Sequence, residues 1–190
     1  MRRSLLTLAT VFSLMIATAS LAAAVSVGPG GWSHVGVGST STTPSLNGAV
    51  YALNTQNPGV LYVGGNFTTA GGNSKAKRIA SWNGSSWSAL GATPLTNGAV
   101  HAIAYHAGKV YVGGTFQNAG GNANADFLAV WNGSTWAQFC TPSGAAGPSF
   151  DGNVNALQII GNTLYVGGAF ANGAGIDSAD YLLACDLTTG

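Results

Sequence analysis

Leu61-Tyr62-Val63-Gly64-Gly65-Asn66-Phe67 recurs as Val110-Tyr111-Val112-Gly113-Gly114-Thr115-Phe116 and again as Leu164-Tyr165-Val166-Gly167-Gly168-Ala169-Phe170. Gly64 and Gly113 are 49 residues apart, Gly113 and Gly167 54. At that period each repeat is one supersecondary unit that cannot bury its apolar face alone. Period-2 patterns between turn signals then give four short strands per repeat, here lettered a to d. Strand a covers Ala49 to Leu53, Ala99 to Ala104 and Asn153 to Ile159, and strand b is the quoted run. Strand c covers Arg78 to Trp82, Phe127 to Trp131 and Tyr181 to Asp186, apolar enough for a sheet covered on both faces. Strand d covers Trp87 to Leu90 and Trp136 to Phe139. Asn83-Gly84 and Asn132-Gly133 lie between c and d and read as type I′ hairpin turns, which need positive φ at both central residues. The glycine pairs mark a bulge or a close backbone approach. They are not phosphate cradles, which need a following helix and a lysine or acidic partner. No segment sustains a helical period, so no helix is expected.

Outward from the repeats, residues 1–24 read as a cleaved secretory signal. Met1-Arg2-Arg3 is basic, Leu5 to Ala19 is nearly all apolar, and Ser20-Leu21-Ala22 and Ala22-Ala23-Ala24 offer small-x-small cleavage sites. Thr7, Thr10 and Ser13 interrupt a run already short for a bilayer span, so the mature chain, residues 25–190, is expected to carry none. The expected location is extracellular or at the cell surface, with the periplasm as the other exported destination. Lys75, Lys77, Arg78 and Lys109 face Asp126, Asp151, Asp177, Asp180 and Asp186 in that mature part, and there is no Glu. So sparse and balanced a set cannot neutralise a row of phosphates, which excludes nucleic acid as a partner.

Four-stranded antiparallel units of this period are the pattern of β-propeller blades. His101 to Lys109 followed by Tyr111-Val112-Gly113-Gly114 resembles the kelch motif. Phe67-x-x-Ala70-Gly71-Gly72, with Ile79-Ala80-x-Trp82-Asn83-Gly84-x-x-Trp87-x-x-Leu90-Gly91, is similar to exported bacterial relatives of kelch and delta-60-repeat propellers. The resemblance spans nearly all of the mature chain. It implies an all-β fold of about three four-stranded blades in an incomplete ring. Among such propellers are adhesins, cell-wall-associated proteins, scaffolds and the galactose-oxidase group. Copper held by Tyr and His beside a Cys-linked Tyr, as the last group implies, cannot be placed on this chain. Gly31 to Gly36 matches Ser86 to Gly91 and reads as a lone opening strand d, and no strand d follows Tyr181 to Asp186. About twelve strands make three blades where a closed ring takes four to eight. The chain is therefore expected to be the N-terminal part of a longer protein, and alone to self-associate through open blade edges.

An antiparallel meander places loops a–b and c–d on one side and the longer b–c and d–a loops on the other, where function on a rigid scaffold resides. The candidate ligand-binding residues of that side are Asn73, Asn122, Asn124, Asp126, Asp177 and Asp180. Asn122, Asn124 and Asp126 alternate like calcium ligands, but Phe127 stands where the turn glycine belongs and no Glu follows. Asp177 and Asp180 have the spacing of a carboxylate pair without a third catalytic group, so both loops read as solvated turns. His34, His101 and His106 fall in unrelated positions and read as packed or exposed rather than metal-ligating. Trp82, Trp87, Trp131 and Trp136 repeat at equivalent places, which argues for cross-strand packing over sugar stacking. Sialidase-type Asp boxes are only approximated at Ser81 to Trp87. Cys140 and Cys185 permit one disulfide in an exported chain. No cofactor and no catalytic residue is assigned. The expected function is a non-catalytic binding or adhesion scaffold for an extracellular protein or glycan. The alternative is the front part of an extracellular propeller enzyme, carbohydrate-active or galactose-oxidase-like, with its catalysis encoded beyond Gly190.

Overall fold

The computed structural model describes residues 35–36, 45–141 and 147–189. The signal-like segment and Gly31 to His34 of the expected opening strand lie outside the described residues.

Among the described residues eleven strands form three antiparallel sheets, each a meander in chain order. The first is β1 (Val50–Asn54), β2 (Leu61–Gly65), β3 (Ile79–Trp82) and β4 (Trp87–Ala89). The second is β5 (Val100–His106), β6 (Lys109–Gly114), β7 (Leu128–Trp131) and β8 (Trp136–Gln138). The third is β9 (Asn153–Ile160), β10 (Thr163–Ala169) and β11 (Leu182–Asp186). The expected all-β, blade-like architecture is present, and among the described residues helix is limited to two three-residue 3-10 turns, Ala119–Gly121 and Gly173–Gly175.

The pleat of the second sheet shows what joins the blades. Val110 and Val112 of β6 enter a core shared with Tyr62, Ile79, Val100 and Ile103. Tyr111, between them, enters the other core with Leu128, Phe139, Val154, Leu164 and Phe170. Alternate side chains of one strand thus serve two neighbours, which is why Val110 to Gly114 is buried throughout and carries no charged or amide side chain. In the first two sheets the first glycine of the pair lies where the next sheet arrives. A Cβ at Gly64 would press into Val100 and Ile103, and one at Gly113 into Val154. The second glycine meets its own strand a: a Cβ on Gly65, Gly114 or Gly168 would collide with the carbonyl of Ala49, Ala99 or Asn153.

Two local expectations are corrected. Strand c starts one residue late because Arg78, Phe127 and Tyr181 hold φ of 65°, 61° and 65°. Each is the centre of a three-residue turn, with Ile79 N–H donating to Lys77 O, Leu128 to Asp126 O and Leu182 to Asp180 O. The Asn-Gly turns are not type I′ either. Trp82 pairs with Trp87 and Trp131 with Trp136, leaving four loop residues, and only Gly84 and Gly133 have positive φ (95° and 96°). Asn83 Oδ1 instead accepts from the N–H of Ser85 and Ser86 at 3.0 and 2.8 Å. Asn132 does the same for Ser134 and Thr135, at 2.9 Å each. The short side chain closes the turn that a left-handed Asn would otherwise close.

Candidate binding face

Long b–c loops emerge from the same end of all three sheets and share one backbone frame. Ala76, Ala125 and Ala179 are buried at equivalent points, each N–H donating to the carbonyl three residues back, Asn73, Asn122 or Ile176, at 3.2, 3.0 and 2.9 Å. The segment leading into strand a of each sheet then caps the b–c loop of that sheet with one side chain. Asn47 Oδ1 accepts from Thr68 and Thr69 N–H at 2.8 Å each. Asn97 accepts from Gln117 at 3.1 Å and Asp151 from Ala171 at 2.9 Å. Such a bond is worth about 1 kcal/mol net and fixes one loop against the other. Sequence reasoning passed over these three caps. Their signal is an Asn-Gly or Asp-Gly step three residues before Val50, Val100 and Val154.

The six candidate residues divide by what they already bond. Asn73 Oδ1 accepts from Lys75 N–H at 2.9 Å and Asn122 Oδ1 from Asn124 N–H at 3.1 Å. Asp126 accepts from Asn118 N–H at 2.6 Å, so its carboxylate closes its own loop. The side chains of Asn124, Asp177 and Asp180 lie in exposed positions. Ile176 replaces the Asn73/Asn122 cap in the third loop and is itself exposed. Among the described residues no three His, Cys, Asp or Glu side chains cluster as metal ligands.

A second set at the same end was not legible as a set. The pairing of β1 with β2 skips Tyr51, that of β5 with β6 skips His101, and that of β9 with β10 skips Asn155. Each is the extra residue of a bulge opposite a glycine pair, and bulges re-aim side chains. β5 adjoins both β1 and β9, which brings the three together. Tyr51 and His101 rings meet edge-to-face at 5.4 Å between centroids. His101 Nδ1 lies 3.1 Å from Asn155 Oδ1. His106 ends β5, where it pairs with Lys109 across the turn on the opposite side, and His34 lies outside the described residues.

The tryptophans pack across strands as expected, Trp82 on Trp87 at 5.2 Å and Trp131 on Trp136 at 5.5 Å. Trp136 Nε1 also donates to Leu90 O of the first sheet at 2.9 Å. Beside this pair an open depression of about 380 Å³ is lined by Gly91, Thr93, Gly121, Asn122, Ser134 and Thr135. Cys140 and Cys185 are disulfide-bonded with Cα atoms 5.7 Å apart, joining the end of the second sheet to β11. Among the described residues two ionisable groups depart from their ordinary range. Burial pushes the Tyr111 phenol up. The Thr188 hydroxyl and N–H, bonded to Asp186 at 2.5 and 2.7 Å, hold that exposed carboxyl down. Neither belongs to the loop end. No protein-family model and no curated protein matches the chain. Fold and geometry thus define its class, an all-β protein of stacked antiparallel blades with one built-up loop end.

Proposed function

We propose that this chain is an exported, non-catalytic propeller-type protein, similar to the kelch and delta-60-repeat group, that binds an extracellular protein or glycan on its b–c and d–a loop face. The observation that carries this reading is the triple capping of loop by loop through Asn47, Asn97 and Asp151. A rigid, weakly charged surface built from equivalent loops loses little entropy on binding. Export is supported by the basic and apolar start of the chain and by the Cys140–Cys185 bond, which persists in oxidising compartments. The outer face of the third sheet, with Tyr165 and Leu182 exposed, belongs to the same proposal as a surface for self-association.

The test is binding of the secreted protein to immobilised extracellular glycans and matrix proteins, with Asn124→Ala/Asp177→Ala and Asn97→Ala as loop variants. Weaker binding by these variants with unchanged thermal unfolding of the first supports the reading. Equal binding by every loop variant, or retention of an uncleaved residue 1–24 segment after expression in an exporting host, overturns its respective half.

A further inference from the structure

We infer that Tyr51, His101 and Asn155 form a subsite for a neutral saccharide. This rests on the loop-face reading and names its ligand. The three sheets repeat the bulge but not the residue: an aromatic ring, an imidazole and a primary amide occupy one equivalent position. The scaffold positions around them do repeat, with Val50, Val100 and Val154 before the bulge and Ala52, Ala102 and Ala156 after it. Packing therefore fixes the flanks and leaves the bulged residue free to differ.

The bonding pattern specifies what the row offers. An amide oxygen only accepts, so in the neutral imidazole the 3.1 Å contact selects the tautomer with its proton on Nδ1, whose Nε2 lone pair is an acceptor. Asn155 keeps both hydrogens of Nδ2 as donors. Tyr51, 53 % exposed, presents a ring held by the edge contact to His101, together with its hydroxyl. β1, β5 and β9 contain no Asp, Glu, Lys or Arg, so an ionic ligand would meet no countercharge along the row. A ring face beside one acceptor and two donors matches the alternating C–H faces and hydroxyls of an uncharged sugar. A polypeptide adding itself as a strand needs an uninterrupted edge, and here the bulges break the ladder.

The experiment is titration of the full, disulfide-intact chain with cello-, xylo-, malto- and chito-tetraose, reading affinity and the ¹⁵N resonances of the His101 imidazole. At least one of these sugars should move the Nε2 resonance. Tyr51→Ala and Asn155→Ala should each weaken it about tenfold or more, and Tyr51→Phe, which keeps the ring, by less than about threefold. If Tyr51→Ala and Asn155→Ala bind like wild type while Asn124→Ala/Asp177→Ala binds worse, the subsite falls and the loop face stands. If no sugar moves the imidazole, or if a sulfated glycan or a peptide does so instead, the inference is overturned. Binding indifferent to both sets of variants overturns the subsite and the loop face together.

Discussion

Tyr111 in β6 and Tyr165 in β10 occupy the same place in the same repeated phrase, yet one is 1 % exposed and the other 38 %. The strands are alike; their surroundings differ. β6 lies between two sheets and is buried from Val110 to Gly114, whereas β10 alternates between buried and open positions. The burial of a strand in this architecture is therefore a property of the stack more than of its sequence. Each comparison of second and third sheet can be broken experimentally.

The largest effect is expected where the two sheets are covalently tied. The Cys140–Cys185 bond closes a 45-residue interval, which in the chain-entropy description is worth about 4 kcal/mol. Cys140→Ala/Cys185→Ala should lower the denaturant midpoint accordingly. Hydrogen exchange should accelerate in β11 before it does in β6, because β11 has an open side and β6 has neighbours on both faces. Equal acceleration in both strands would show that the sheets unfold as one unit and erase the distinction.

Next come the paired glycines. Gly113→Ala drives a methyl group into Val154, whereas at Gly167 the nearest atoms to a Cβ are Ala156 Cβ at 3.7 Å and Tyr181 O at 3.8 Å. Overpacking should cost the first variant about 1 to 3 kcal/mol. The second should lie between neutral and about 1 kcal/mol more stable, since alanine restricts the unfolded chain. Chemical unfolding of both proteins checks the pair, and a similar loss at both positions would mean that the glycines answer to something other than the neighbouring sheet.

Tyr111 gives a subtler difference between the same two places. Burial raises its phenol above the ordinary 10.0, so the unfolded chain ionises first. Stability owed to the neutral phenol is complete below pH 10 and is lost as pH rises through the folded-state value. Tyr111→Phe should flatten that alkaline decline in a plot of unfolding free energy against pH. An unchanged decline would place its origin elsewhere.

The fold was legible because its strongest signals are local and repeated. The Tyr-Val-Gly-Gly phrase marks strand b, and the apolar run of β7 follows from coverage on both faces. The left-handed residues were hidden, because Arg78, Phe127 and Tyr181 share no side-chain chemistry that favours positive φ. Their conformation is imposed by bonds on both sides: Arg78 N–H donates to Phe67 O and Arg78 O accepts from Gly65 N–H, with the same pair at Phe127 and Tyr181. The candidate face was half legible. Loop length marked the end of the sheets where the long b–c loops gather, but the Asn and Asp caps and the Tyr51–His101–Asn155 row arise from register and from contacts between sheets, which one strand's pattern does not encode.

The a–b turns of the second and third sheets supply the finest comparison. In the second, His106 pairs with Lys109 around Ala107-Gly108, with φ of 47° and 81°. In the third, Ile160 pairs with Thr163 around Gly161-Asn162, and Gly161 has φ of 58°. Glycine occupies the first turn position at no steric cost, while Ala107 carries a Cβ into a region that disfavours it by about 1–2 kcal/mol. The positive-φ pair expected at the Asn-Gly steps is thus found where the sequence reads Ala-Gly. Ala107 is exposed and no packing constrains its replacement. Ala107→Asn should therefore stabilise the chain by about 0.5–1 kcal/mol, because asparagine tolerates the left-handed region, and Gly161→Ala should destabilise it by a similar amount. Opposite shifts in the two unfolding midpoints are the expected result. Shifts of the same sign would mean that these turns are shaped by the strands they join and not by the residues within them.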